Sequence, residues 1–128
     1  TWTKRTDPAF LGNNGAGDPS VMWDGTLYRM AYTCSKPEDG EAMACLAESS
    51  DGIVWQIVPG EGGVEWLILQ GRVHEWDVHV ETTHLTRIGN RYHLYYCGYS
   101  EQGYPIPGFP GFLGLAQSTD GRTFTRVS

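Results

Sequence analysis

The stretch SSDGIVW, residues 49 to 55, decides the fold because it returns as STDGRTF at residues 118 to 124. Both copies place a serine, an aspartate, a glycine and a closing aromatic residue at the same offsets. The chain also begins with TWTKRT (residues 1 to 6) and ends with TFTRVS (residues 123 to 128), so it starts and stops at one phase of a repeat. Self-similarity at a fixed period is typical of stacked or radial repeat folds.

A second pair of matching segments precedes these turns. DPSVMWDGTLYRMAYT starts at Asp18, and ETTHLTRIGNRYHLYYC starts at Glu81, at an offset of 63. The offset from Tyr28 to Tyr92 is 64, and the offset between the aspartates of the two turns is 69. The unit therefore repeats at an offset of about 65, with insertions in its loops.

Each unit is predicted to form four short strands. Tight turns are predicted at the dipeptides Asp24-Gly25, Gly89-Asn90 and Asp120-Gly121. Residues 42 to 48 have some helix propensity, but the SSDG turn that follows favours a strand. Residues 64 to 70 are predicted to be an extra strand or a connection. The eight predicted strands are 19–23, 27–33, 42–48, 54–58, 82–88, 91–97, 112–118 and 123–127.

Four short antiparallel strands that occur twice predict an all-β fold of two propeller blades. The chain is predicted to be one unit, 1–128, with blade one at 18–58, a connection at 59–80 and blade two at 81–128. Propellers close with typically four to eight blades, so oligomerisation or missing sequence must complete the ring. Residues 1–6 are predicted to be an extra outer strand of a blade whose other strands lie in another subunit or in missing sequence.

Charge and hydropathy exclude several kinds of partner. The net charge is −6 and lysine and arginine do not cluster, which argues against nucleic acid and anionic membranes as partners. An uncharged polar ligand such as a sugar remains compatible. No stretch approaches the roughly 20 apolar residues that cross a bilayer, which predicts a soluble chain. The first residues resemble neither a signal peptide nor a transit peptide, although a cleaved leader stays open.

The chain has three cysteines, an odd number. Cys34 and Cys45 flank a hairpin loop, whereas Cys97 belongs to the other unit. The favoured prediction is three reduced thiols in or near the core, and the alternative is a Cys34–Cys45 bridge or a reactive thiol. No CxxC pair occurs and the histidines lack a ligand spacing, so we predict no metal and no cofactor.

Several of these segments together resemble a known family. DPSV, the Tyr-x-Met-x-Tyr strand, AESSDGIVW and HEWDVHVETTHLTRIGNRYHLYY are similar to consecutive blades of the five-bladed propeller glycosidases around glycoside hydrolase families 43, 32 and 130. The resemblance covers nearly the whole chain, which is about two of the five blades. It implies that acidic residues at the starts of innermost strands point into a central funnel, where three of them commonly carry catalysis. By motif match, Asp18 and Glu81 occupy such positions, while the SSDG and STDG turns resemble the structural Asp boxes of sialidases.

The chemistry of glycoside cleavage fits two such carboxyl groups. One must be protonated to donate to the leaving oxygen, and the other must be ionised to activate water or attack. Burial in a funnel raises the pKa of one acid relative to the other. We assign Glu81 as the acid, and Asp18 as the base or as the group that tunes it. The alternatives are a turn carboxylate for Asp18 and a solvent-facing strand residue for Glu81.

The segment HEWDVHVE, residues 74 to 81, is the densest polar cluster in the chain. Asp77, His79 and Glu81 alternate, so on a strand they would share one face and could line a sugar site. The alternative is a connecting loop in which Trp76 anchors into the core and Asp77 caps the turn.

Aromatic rings are the other predicted sugar contacts, because sugar faces stack on flat apolar rings. Trp23, Trp76 and Tyr99 are the candidates, and the loop at 98–112 is long enough to be functional. The sequence thus predicts a glycosidase-like propeller that takes a carbohydrate ligand and forms a homo-oligomer. The alternative is a non-catalytic carbohydrate-binding or assembly module built from two-blade subunits.

Overall fold

The computed structural model of the chain is all-β, as predicted. No helix in the described part of the chain is long and apolar enough to cross a membrane. The structure describes every residue except 2, 5, 9, 11, 13, 37, 39, 59–66, 73–74, 101–110 and 128. Most of the long aromatic loop at 98–112 therefore lies outside the described residues.

Blade one is an antiparallel sheet in which the first four strands follow chain order. Two short strands lie along its outer edge, and each pairs with a different part of the third strand. The strand within 64–70, predicted as one of two alternatives, is therefore present. The five strands are β1 (Gly17–Trp23), β2 (Tyr28–Ser35), β3 (Ala42–Ser49), β4 (Gln56–Ile57) and β5 (Leu67–Leu69).

Blade two is a four-stranded antiparallel sheet with the same order of strands. Both sheets are those expected of propeller blades, and their strands match the predicted ones to within a few residues. The four strands are β6 (His79–Ile88), β7 (Arg91–Tyr99), β8 (Phe112–Ser118) and β9 (Thr125–Arg126).

Strand β3 forms although its alanine-rich sequence also suits a helix. It pairs with β2 along the whole of its length, from Tyr28 opposite Ser49 to Ser35 opposite Ala42. Both faces of β3 are buried, so the strand gains packing on two sides that an isolated helix would lack. Tertiary pairing therefore overrides local propensity here.

The two SxDG turns form the same hydrogen-bond network. In the first, Ser49 Oγ accepts from the N–H of Gly52 at 2.9 Å, and Asp51 Oδ1 accepts from the N–H groups of Ile53 (2.8 Å) and Val54 (2.9 Å). The second turn repeats these three bonds to within 0.1 Å. Backbone donors are the main reason that the pKa of each turn carboxylate lies below its ordinary value.

The two blades share one hydrophobic core. Ala31 and Leu46 of blade one and Leu94 of blade two are fully buried in the same cluster. A buried hydrogen bond also joins the two inner strands, because the N–H of Leu85 donates to Ser20 Oγ at 2.8 Å. The blades therefore pack face to face rather than lying apart.

Charged groups hold the blades together at the β1–β2 turn. Glu48 of blade one accepts from Arg29 Nη1 at 2.7 Å and from Arg122 Nη2 of blade two at 3.0 Å. Asp24 in the turn pairs with Arg29 and accepts from the hydroxyl of Tyr92 at 3.2 Å. These contacts fix the orientation of one sheet against the other.

Cys34 and Cys45 form a disulfide between β2 and β3, with their Cα atoms 5.9 Å apart. The favoured prediction of three reduced thiols is wrong, and the alternative bridge is the one that forms. The β2–β3 register explains it: Cys45 lies opposite Tyr32, two residues from Cys34, so both thiols reach the same buried face. Cys97 is a free cysteine.

The outer strand is predicted at residues 1–6, of which the structure describes 1, 3, 4 and 6. The described members of this segment, Thr1, Thr3, Lys4 and Thr6, lie outside every strand. Pairing of this segment with a blade of another subunit, or of missing sequence, stays a prediction.

Candidate functional site

The first strand of each blade, β1 or β6, is the predicted inner strand and contains a β-bulge near its start. Gly17 pairs with Thr33 and the next pair is Ser20 with Ala31, so two residues of β1 oppose one residue of β2. The same shift occurs in blade two, between the pairs that Glu81 and His84 make with β7. Both bulges place a non-glycine residue in the left-handed region, Asp18 at φ 47° and Thr82 at φ 50°.

The bulges change which residues are equivalent in the two blades. Their registers align Asp18 with Thr82, and Gly17 with Glu81, at an offset of 64. The sequence match at an offset of 63 predicts that Asp18 and Glu81 occupy equivalent positions. Asp18 and Glu81 instead lie on the first strands of adjacent blades, and Asp18 is one residue further along its strand than the position equivalent to Glu81.

A short chain of hydrogen bonds connects the two bulges. Thr33 Oγ1 donates to Asp18 Oδ2 at 3.3 Å, and it accepts from the N–H of Thr82 at 3.2 Å. Thr82 directly follows Glu81, so the carboxylate of blade one and the acid of blade two lie at the same junction.

The environment of Glu81 favours its neutral form. The side chain is half-buried, and this burial is the main reason that its pKa is raised above the ordinary value. The negative charge of Asp18 raises the pKa further, while His79 opposes the shift. Asp18 itself is exposed. The pair thus combines an acid biased towards protonation with a solvated carboxylate.

His79 and Tyr99 lie beside Glu81. His79 pairs with Tyr99 across β6 and β7, and Glu81 lies two residues further along the same face of β6. Val80 points to the opposite face and is fully buried, whereas His79 and Tyr99 are half-buried. The two polar side chains therefore lie at the rim of the Asp18–Glu81 junction.

Asp77 does not join this rim, which corrects its assignment as a sugar-binding residue. Strand β6 begins at His79, so Asp77 precedes it in a turn. Its carboxylate has no solvent exposure and accepts from Arg72 Nε (2.9 Å), Arg126 Nε (2.7 Å) and the hydroxyl of Tyr96 (3.0 Å). Although burial raises the pKa of Asp77, these donors hold it below the ordinary value. Asp77 therefore lies in a connecting turn, as in the loop alternative, and its carboxylate is bound by side chains.

Trp76 also follows the loop alternative. Its ring stacks on Tyr96 with centroids 5.9 Å apart, and it meets the edge of Phe112 at 5.8 Å. Gly98 passes so close beneath it that a Cβ there would lie 2.4 Å from the indole. The ring therefore anchors the turn in the core, and it is not placed as a sugar platform.

Trp23 is exposed but lies at the wrong end of its strand. It ends β1, five residues after Asp18, which corresponds to roughly 16 Å of extended chain. Its ring packs on Tyr28 with centroids 4.8 Å apart. Trp23 is therefore not part of the Asp18–Glu81 junction.

Sequence reasoning missed Thr33 and Thr82. Both looked like ordinary strand residues, and the hydrogen bond between them spans 49 residues of sequence. No local motif marks a contact of this kind. Among the described residues, no group of three or more histidine, cysteine, aspartate or glutamate side chains is arranged to hold a metal ion.

Comparisons with known proteins identify the fold. A family 117 glycoside hydrolase from Zobellia galactanivorans is similar over 93% of this chain and 41% of its own, with a TM-score of 0.72 and 18% identity. A glycosyl hydrolase from Bacteroides ovatus matches 91% of this chain and 32% of its own (TM-score 0.68, 13% identity). A family 32 β-fructofuranosidase from Bombyx mori matches 90% of this chain and 23% of its own (TM-score 0.64, 13% identity).

These neighbours are glycoside hydrolases of the β-propeller type, and the chain has the fold of a segment of such a propeller. The chain spans less than half the length of each of these neighbours. No family model matches the sequence, and no curated protein matches it. The resemblance to propeller glycosidases is thus confirmed at the level of fold.

Proposed function

We propose that this chain supplies part of the active site of a β-propeller glycoside hydrolase. Glu81 is the general acid, and Asp18 is the base or the group that tunes Glu81. The observation that carries the proposal is the half-buried Glu81, whose pKa is raised next to the Asp18 carboxylate where two inner strands begin. Similarity to glycosidases of known structure supports the carbohydrate ligand.

The two carboxyl groups would divide the work of glycoside cleavage. Protonated Glu81 gives its proton to the glycosidic oxygen as the bond to the anomeric carbon breaks. Ionised Asp18 accepts the proton of the attacking water, or its charge keeps Glu81 protonated until substrate arrives. His79 and Tyr99 offer hydrogen bonds to sugar hydroxyls at the rim. A third acid, implied by the resemblance, would come from a further blade.

Carboxylate-to-amide substitutions test this function on a panel of aryl glycosides. Glu81→Gln is expected to lower kcat at least about 100-fold, because general acid catalysis contributes at least that factor. Asp18→Asn should also lower kcat, and Glu38→Gln, whose side chain is 81% exposed on a loop, is the matched control. If Glu81→Gln changes neither turnover nor sugar binding, the site is not at Glu81.

Further blades are also proposed, from copies of this chain or from additional sequence. Ala44 of blade one is fully buried between the blades, while Leu113, its counterpart in blade two at an offset of 69, is 74% exposed. Tyr96 of blade two belongs to the hydrophobic cluster that both blades share, while its counterpart Tyr32 borders a cavity of about 390 Å³. At these positions, the uncovered face of each blade thus corresponds to the face of the other blade that lies in the shared core.

Molecular mass in solution tests how the ring is completed. A dimer would provide four blades and a trimer six, both within the range in which propellers close. Light scattering that reports a compact monomer would contradict assembly from copies of the chain. The uncovered faces equally favour the alternative function, a non-catalytic carbohydrate-binding or assembly module. Sugar binding without turnover would support that alternative.

A further inference from the structure

The Asp18–Glu81 junction contains two residues in an unfavourable backbone conformation. Asp18 and Thr82 both have positive φ angles, and they come from neighbouring blades. Aspartate tolerates the left-handed region, whereas a β-branched threonine rarely adopts it. Such conformations persist where the surrounding contacts enforce them. The contacts of these two residues therefore indicate what shapes the junction.

One hydroxyl contacts both residues. Thr33 lies near the end of β2, directly opposite Gly17, and its Oγ1 donates to Asp18 and accepts from the Thr82 N–H. We propose that Thr33 is a positioning residue, which fixes the Asp18 carboxylate and the peptide that follows Glu81 in one geometry. This inference rests on the proposed function of the two carboxylates.

The hydroxyl suits this role because it links the β-bulge of blade one to the β-bulge of blade two. Asp18 is exposed, so its carboxylate could turn towards solvent if nothing held it. The N–H of Thr82 belongs to the bulge of blade two, where the pairing of β6 with β7 is interrupted. A hydroxyl can donate one hydrogen bond and accept another at the same time, which neither valine nor alanine can do.

Several titratable groups lie around Glu81. Asp18 approaches from β1 and His79 lies on the same strand, while Cys97 and Tyr99 lie opposite on β7. Among these, the charge of Asp18 raises the pKa of Glu81 and His79 lowers it. Loss of the Thr33 hydroxyl should let Asp18 move away, so the pKa of Glu81 should fall towards its ordinary value.

The test is an NMR titration of the Glu81 carboxyl carbon in the full chain with Thr33→Val and Thr33→Ser. Valine keeps the shape of threonine without the hydroxyl, so Thr33→Val should lower the pKa of Glu81. Thr33→Ser keeps the hydroxyl and should retain the raised pKa. In turnover assays, Thr33→Val should lower kcat roughly tenfold with little change in KM, as expected when catalytic groups are misplaced.

The outcomes separate this inference from the proposed function. An unchanged Glu81 titration in a folded Thr33→Val protein overturns the positioning role, even if Glu81→Gln abolishes turnover. A lowered pKa of Glu81 supports positioning even if no glycoside is cleaved. If Thr33→Val does not fold, Thr33→Ala replaces it. Combining the Thr33 variant with Asp18→Asn completes a double-mutant cycle. Once Asp18 carries no charge, loss of the Thr33 hydroxyl should no longer move the pKa of Glu81.

Discussion

At the scale of single residues, Glu81 has two neighbours that act on its proton in opposite directions. Burial and the charge of Asp18 favour the neutral acid, and His79 favours the ionised form. The balance is a raised pKa, which means that the folded chain binds this proton more tightly than the unfolded chain does. Any effect of Glu81 on stability should therefore depend on pH.

We expect Glu81→Gln to stabilise the protein at neutral pH and not at acidic pH. The stabilising contribution of protonated Glu81 is fully present below its ordinary pKa of 4.5 and is lost as pH rises through the raised value. The amide cannot ionise, so the free energy of unfolding of the variant should exceed that of the original chain at pH 7 more than at pH 4. Urea unfolding at both pH values measures the difference. Equal differences at the two pH values, or the same trend in the exposed Glu38→Gln control, would contradict the role of Glu81 burial.

At the scale of elements, β2 is the strand that links the disulfide of blade one to the Asp18–Glu81 junction. It carries Thr33, which bonds to both bulges, and next to it Cys34, which is bridged to β3. The disulfide therefore supports the strand on which the positioning hydroxyl lies. Its contribution can be measured apart from any activity.

Reduction of the Cys34–Cys45 disulfide should lower the free energy of unfolding by about 2–3 kcal/mol, the value expected for a bridge between residues 11 apart. Urea unfolding with and without reductant measures this change. A Cys97→Ser variant should lose the same amount on reduction, because that thiol is free. A double replacement of Cys34 and Cys45 by alanine should make stability insensitive to reductant. A wild-type protein that is equally insensitive would argue against the bridge.

At the scale of the whole molecule, the two blades depend on each other. The main hydrophobic cluster contains residues of both sheets, and Ser20, Asp24 and Glu48 bond across the boundary. A sheet that lost its neighbour would expose this cluster to water. The two blades should therefore unfold as one unit.

Leu46→Ala should cost about 3 kcal/mol and destabilise both blades together, because the side chain is fully buried in the shared cluster. Far-UV circular dichroism and tryptophan fluorescence should report one coincident urea transition. Leu113→Ala is the control, since that side chain is 74% exposed and should cost less than about 0.5 kcal/mol. Two separate transitions would show that the blades fold independently.

The parts of the fold that depend on neighbouring residues could be read from the sequence. Both SxDG turns form, because their hydrogen bonds join residues two or three apart, such as Ser49 with Gly52. Strand β8 occupies the predicted residues 112–118, and β2 and β7 lie close to their predicted ranges. Alternation and turn residues encode these elements locally.

The site depends on contacts that no local pattern specifies. Asp77 shares an alternating pattern with His79 and Glu81. Its carboxylate is nevertheless held in an ion pair by Arg126, which is 49 residues away in sequence. The bulges shift Asp18 out of register with Glu81, and the β2–β3 register brings Cys34 to Cys45. The sequence by itself determined the strands and the turns, because their hydrogen bonds and periodicity are local. Only the tertiary structure decided the junction of Asp18, Thr33 and Glu81, because it forms where two sheets pack together.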